Sequence, residues 1–152
     1  MKSTKFAVFG ILALVLFVLL RCNHADMLEV NNSSFNSTRS HNTGQNCMNC
    51  HKKGGEGEGW FVVAGSAFQP DGNPAKNITL KLYTEPLGEG TLVKTIQGDM
   101  LGNFHSTDIM GFGRGLYPVV EYEGSPAYMS SSITHGACNS CHGVTEDRIF
   151  TE

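Results

Sequence analysis

The chain has 152 residues, room for one domain behind an export segment. Its 11 basic and 14 acidic residues give a formal charge of -3; setting aside Lys2, Lys5 and Arg21 of the N-terminal segment leaves 8 basic residues and a charge of about -6. An acidic surface argues against nucleic acid as a partner and is compatible with a basic protein partner. Eighteen glycines and few helix-favouring runs point to turns and strands.

Residues 1–22 are expected to be a signal peptide or lipoprotein signal. Lys2 and Lys5 make a positive n-region, and Phe6 to Leu20 is an uncharged apolar run of 15 residues. That run suits a signal core and falls short of the ~20 residues a spanning helix needs. Cys22 follows directly, in Leu19-Leu20-Arg21-Cys22. This resembles the lipobox of bacterial lipoproteins, with Arg21 in place of the usual small residue. Two readings stay open: a lipid anchor on Cys22, or a stray thiol.

From residue 23 to 45 the composition turns to Asn, Ser and Thr, as in Asn31-Asn32-Ser33-Ser34. With little to bury, this stretch is expected to be a flexible linker.

Cys47-Met48-Asn49-Cys50-His51 then introduces chemistry, and Cys138-Asn139-Ser140-Cys141-His142 repeats it near the other end. Each is a C-x-x-C-H, the pattern of covalent c-type haem attachment. Two thiols three positions apart can both add to the vinyl groups along one porphyrin edge. The histidine that follows is then held beneath the ring as proximal ligand. A four-thiolate zinc site is the competing reading. Against it, 87 residues separate Cys50 from Cys138, where such zinc sites use about 15–20. Internal disulfides are a third reading, but redox-active C-x-x-C pairs sit on a thioredoxin-like βαβ pattern that is absent here. The expected cofactors are therefore two covalent haems c, bound by Cys47, Cys50 and His51 and by Cys138, Cys141 and His142. Attachment of this kind takes place outside the cytoplasmic membrane, so it agrees with export to the periplasm or cell envelope.

Residues 60–133 carry strand patterns. Phe61 to Phe68 ends in the turn Pro70-Asp71-Gly72-Asn73. Ile78, Leu80 and Leu82 alternate with Thr79, Lys81 and Tyr83, the mark of a half-buried strand. Leu92, Lys94 and Ile96 alternate with Val93 and Thr95; Gly102–Thr107 and Leu116–Tyr122 add two more segments. The spacing predicts an all-β fold, a small antiparallel β-sandwich flanked by the two haem-binding segments, within a haem domain spanning 46–152. Pro118 is expected at an edge or bulge, because it has no N–H for a ladder. The motifs flank this unit, and chain ends in small domains often lie close together, so both haems are expected near one end of the sandwich.

The stretch Gly65-Ser66-Ala67-Phe68 through Pro70-Asp71-Gly72-Asn73-Pro74-Ala75, followed by Ile78-Thr79-Leu80, resembles transthyretin-like or carboxypeptidase-regulatory-like β-sandwiches. Leu101-Gly102-Asn103-Phe104 is similar to the later G-x-F turn of that pattern. Together with the two motifs, residues 40–47 and 136–143 make the chain resemble bacterial dihaem cytochromes c built on such a sandwich. The resemblance implies an electron carrier.

Each iron has a sixth position, and what fills it decides between electron transfer and ligand chemistry. His41 lies in a polar stretch with no core to join, and is a distal candidate for either haem. The second site is divided between His135 and Met129. His105 is read as a surface or satisfied histidine, Met48, Met100 and Met110 as non-ligands, and Trp60, Phe61 and Tyr128 as core or haem-wall aromatics. No H-E-x-x-H, G-x-S-x-G or recognisable acid–base pair is present. A non-enzymatic electron carrier, serving redox partner proteins such as other cytochromes, is therefore the leading expectation. The alternatives are a peroxidase-like haem enzyme or gas sensor with one open iron, and a zinc-stabilised binding module.

Overall fold

The computed structural model describes residues 30–151; the signal segment, Cys22 and His24 lie outside the described residues. Strand β1 (Val63–Phe68) is buried along its whole length, on both faces. Val63, Gly65 and Ala67 look toward the core, while Ala64, Ser66 and Phe68 alternate to the other face. On one side β1 pairs antiparallel with β4 (Asn103–Ser106), in register Val63 with Ser106 to Ser66 with Asn103. It also pairs parallel with two short strands, β7 (Gly136–Ala137) at Val63–Ala64 and β8 (Ile149–Phe150) at Ala67–Phe68. This first sheet is therefore mixed, not the purely antiparallel one expected from spacing. Two-residue strands carry no periodic signal that a sequence could show.

The second sheet is antiparallel, in the order β3 (Leu92–Gln97), β2 (Thr79–Tyr83), β5 (Tyr117–Tyr122) and β6 (Ser125–Tyr128). The alternation of Ile78, Leu80 and Leu82 is realised in β2 (Thr79–Tyr83) and the residue before it, with all three side chains buried. β3 (Leu92–Gln97) is an edge strand and buries only Ile96. Its Leu92 and Val93 stay exposed, as an edge strand covered on one face allows. β5 (Tyr117–Tyr122) pairs with β2 and with β6 (Ser125–Tyr128).

Pro118 departs from expectation: its strand has neighbours on both sides. Its carbonyl accepts from the Met129 N–H, and in a strand the nitrogen and oxygen of one residue point the same way. The missing N–H thus faces β6 just past its last paired residue, Tyr128 opposite Val119. The Pro118–Met129 pair there keeps one of the two bonds that an antiparallel pair can exchange.

One core draws on both sheets: Val63, Ala67 and Phe104 from the first, Leu80, Leu82, Ile96 and Val120 from the second, with Ala75, Ile78 and Leu116. Burying each large apolar side chain is worth roughly 1.5–3 kcal/mol. Among the described residues the helical elements are three-residue 3-10 turns, two of them on the motifs at Cys47–Asn49 and Cys138–Ser140.

Residues 31–45 depart from the flexible linker expected of their composition and form a strap across the outer face of the first sheet. Ser33 is buried, its N–H and hydroxyl reaching the His105 carbonyl, and the hydroxyl also bonds the Gln97 carbonyl. Asn31 N donates to Thr107 Oγ1, Thr43 Oγ1 donates to the Leu101 carbonyl, and Gly44 N donates to Ser66 Oγ. The same Asn, Ser and Thr side chains that deprive the segment of a core give it the donors and acceptors to fasten to sheet backbone.

Candidate functional site

The two C-x-x-C-H segments fold alike. In the first, the Cys50 and His51 N–H groups both donate to the Cys47 carbonyl, at 3.2 and 3.0 Å. In the second, Cys141 and His142 do the same to Cys138, again at 3.2 and 3.0 Å. The leading thiols also match: Cys47 Sγ meets the Gln45 carbonyl and Cys138 Sγ the Gly136 carbonyl, each at 3.6 Å.

The histidines match as well. His51 Nδ1 lies 2.8 Å from the Glu58 carbonyl, and His142 Nδ1 lies 2.7 Å from the Asp147 carbonyl. A carbonyl can only accept, so each neutral imidazole must carry its proton on Nδ1. That leaves the Nε2 lone pair of both rings available to a metal, with a backbone acceptor fixing tautomer and plane. Two loops of different sequence, Lys52–Glu58 and Gly143–Asp147, arrive at this arrangement.

At the first motif, Gly57 packs flat against the His51 ring; a Cβ there would lie 2.7–2.8 Å from ring atoms. Phe61 stacks on the other flank, centroids 4.1 Å apart and planes 8° from parallel. His105 stacks on Phe61 in turn, at 4.3 Å and 18°. Burial pushes the His105 imidazole down to about 4, and its Nε2 lies 3.4 Å from Asn31 Oδ1. His105 is thus a packed, neutral ring of the outer face, in keeping with a satisfied histidine. His41 faces His51 with centroids 5.9 Å apart and planes tilted by 39°. Two imidazoles trans on one metal ion, each nitrogen about 2 Å from it, have centroids roughly 6 Å apart. His41 thus lies beside His51 at the first motif.

The second motif borders a cleft between the sheets, a cavity of about 360 Å³. Cys138, Cys141 and His142 line it on one side, and Leu80, Phe104 and Val120 form its apolar floor. His135 and Met129, the two candidate distal ligands, both line this same cavity. His135 Nδ1 accepts from the Ala137 N–H at 3.3 Å, so the neutral ring carries its proton on Nε2, and that bond must be given up before Nε2 can offer a lone pair to a metal. The cavity's volume lies within the ~300–1,000 Å³ of ligand pockets, and its walls are mainly apolar with a few polar groups. Arg148 at the same lining stacks over Phe68 at 4.8 Å and brings a cation. Met100 bonds Asn77 Nδ2 through its sulfur, and Met110 packs on the core.

Both motifs adjoin β1. The strap that leads to Cys47 bonds Ser66, whose side chain lies on the outer face. Cys138 packs against Gly65, on the core face. Burial pushes the Cys138 thiol up to about 12. Burial also raises the Cys47 thiol, ahead of its neighbour Cys50.

Sequence reasoning did not single out Gly57, Gly65, Ser66 or Asn103 for the sites. Their roles depend on close approach across the fold, which spacing along the chain does not show. Among the described residues no helix is long and apolar enough to cross a membrane. Comparison with family models, curated proteins and solved structures gives no match for this chain.

Proposed function

We propose that the chain is an exported dihaem c-type cytochrome that carries electrons between redox proteins. The observation that carries this reading is the duplicated histidine geometry: His51 and His142 each give Nδ1–H to a carbonyl of their own loop and keep Nε2 for an axial bond. Free C-x-x-C pairs at both motifs supply the thiols, Cys47 with Cys50 and Cys138 with Cys141. Each S–H adds across a vinyl double bond to give a thioether, with no net change of oxidation state.

When bound, the haems supply reversible one-electron exchange between ferric and ferrous iron. The chain supplies everything around it. At the first site His51 is the proximal and His41 the distal ligand. At the second, His142 is proximal and the distal position falls to His135 or Met129, both on the cavity wall. A thioether ligand would give the second haem the higher potential, because bis-histidine ligation favours ferric iron. The apolar floor formed by Leu80, Phe104 and Val120 excludes water from one face and raises that potential further. Export by the N-terminal segment, a lipid anchor on Cys22 and an acidic surface facing a basic partner complete the proposal.

The test is a visible spectrum of protein expressed with c-type maturation machinery, with pyridine haemochrome quantitation. Two covalent haems per chain, low-spin and unchanged by carbon monoxide, are the expected result. A carbon monoxide-sensitive spectrum would shift the function to catalysis or sensing at an open iron. Absence of a Soret band would return the cysteines to zinc.

A further inference from the structure

Beside the first site lies a buried polar chain that neither motif uses. Asn103, Ser66 and Asp99 are each at most 2% exposed. Gly44 N–H donates to Ser66 Oγ at 2.8 Å, and Ser66 Oγ donates to Asn103 Oδ1 at 2.6 Å. The Asn103 amide nitrogen then donates twice, to Ser40 Oγ at 2.8 Å and to Thr43 Oγ1 at 2.9 Å. Thr43 Oγ1 passes its own proton to the Leu101 carbonyl, and Asp99 Oδ1 accepts from the Asn103 N–H. Donors and acceptors alternate consistently, so the amide has one orientation and both of its N–H groups are spent on the strap.

The residues it grips, Ser40, Thr43 and Gly44, bracket His41. That histidine is itself exposed, on a polar segment, and its Asn42 neighbour has a positive φ of 53°. We propose that Asn103, with Ser66, is the positioning residue that holds His41 opposite His51 and so keeps the sixth position of the first iron filled. This inference rests on the haem reading above. Its physical basis is loop entropy: an unfastened strap would have to order several residues to bring His41 back. A buried amide that spends both donors on the strap removes most of that cost in advance. Asn103 touches neither ring, so it acts through His41 alone.

The test compares Asn103→Leu with His41→Ala in the full haem-loaded protein, by spin state, carbon monoxide binding and thermal unfolding. His41→Ala should turn one of the two haems high-spin and carbon monoxide-sensitive. Asn103→Leu should convert the same haem, and added imidazole should return both variants to low spin. The double variant should look like His41→Ala. Should Asn103→Leu fail to fold, Ser40→Ala with Thr43→Ala removes the same bonds from the strap side and should give the same spectrum. A variant that lowers the unfolding temperature but leaves both haems low-spin would overturn the proposal and make Asn103 structural only. A wild-type protein with no haem would overturn the functional reading itself. One with two haems that stay low-spin in His41→Ala would overturn the His41 assignment.

Discussion

Gly65 of β1 and Cys138 of the second motif meet without room for a single carbon between them: a Cβ on Gly65 would lie 2.8 Å from Cys138 Cβ and 2.5 Å from the Phe104 ring. The absence of a side chain lets the second motif seat its leading cysteine against the core. Gly65→Ala must move Phe104, which is fully buried, or push Cys138 away. Overpacking of this sort costs about 1–3 kcal/mol. Thermal unfolding should register that loss, and the haem-to-protein ratio should fall toward one as the second attachment suffers.

Gly57→Ala acts at the other motif. Its Cβ would sit 2.7 Å from His51 Nδ1, so the ring must turn and its bond to the Glu58 carbonyl weakens. The fold should survive, because Gly57 lies in a surface loop away from the core. Redox titration should show one midpoint potential shifted and the other unchanged; movement of both would mean that the sites are not independent.

Before haem is attached, the thiols should differ in reactivity. The thiolate is the nucleophile, and burial holds the Cys138 thiol near 12 and raises Cys47. Cys50 and Cys141 are exposed. Alkylation of apoprotein at pH 8, followed by mass spectrometry, should label Cys50 and Cys141 first and Cys138 last. Rapid labelling of Cys138 would show that the second motif is not docked on Gly65 before maturation.

His105 gives the protein a stability that depends on pH. Its folded value, about 4, lies below its ordinary 6.5 because burial disfavours the charged ring. As pH falls through 6.5 the unfolded chain takes up a proton first, so stability is full above that value and declines toward pH 4. The full shift corresponds to at most roughly 3 kcal/mol, less for the solvent the ring still meets. His105→Phe keeps the stack on Phe61 and removes the titration. Unfolding at pH 7 and pH 5 should differ more in the parent than in this variant.

The parts of the site that are local in the chain were legible from the residues. A C-x-x-C-H needs no distant partner to be recognised, and the alternation of Ile78, Leu80 and Leu82 announces a buried strand face because side chains in a strand repeat every two residues. The strap departs from a flexible linker for a physical reason. Its Asn, Ser and Thr content means that it cannot build a core, but hydrogen bonds to Gln97, Leu101 and His105 hold it to the sheet instead. Pro118 was misplaced because a ladder has ends as well as edges.

By itself, then, the sequence determined the β class, the two thiol pairs with their histidines, and the short candidate set His41, His135 and Met129, since each depends on residue chemistry and spacing along the chain. Only the tertiary structure brought His41 beside His51, set His135 and Met129 on the cavity that the second motif borders, and packed Gly65 against Cys138 and Ser66 and Asn103 against the strap. Those outcomes depend on contacts between residues tens of positions apart, which are fixed when β1 acquires β4 on one side and β7 and β8 along it, and no local pattern in the chain encodes that pairing.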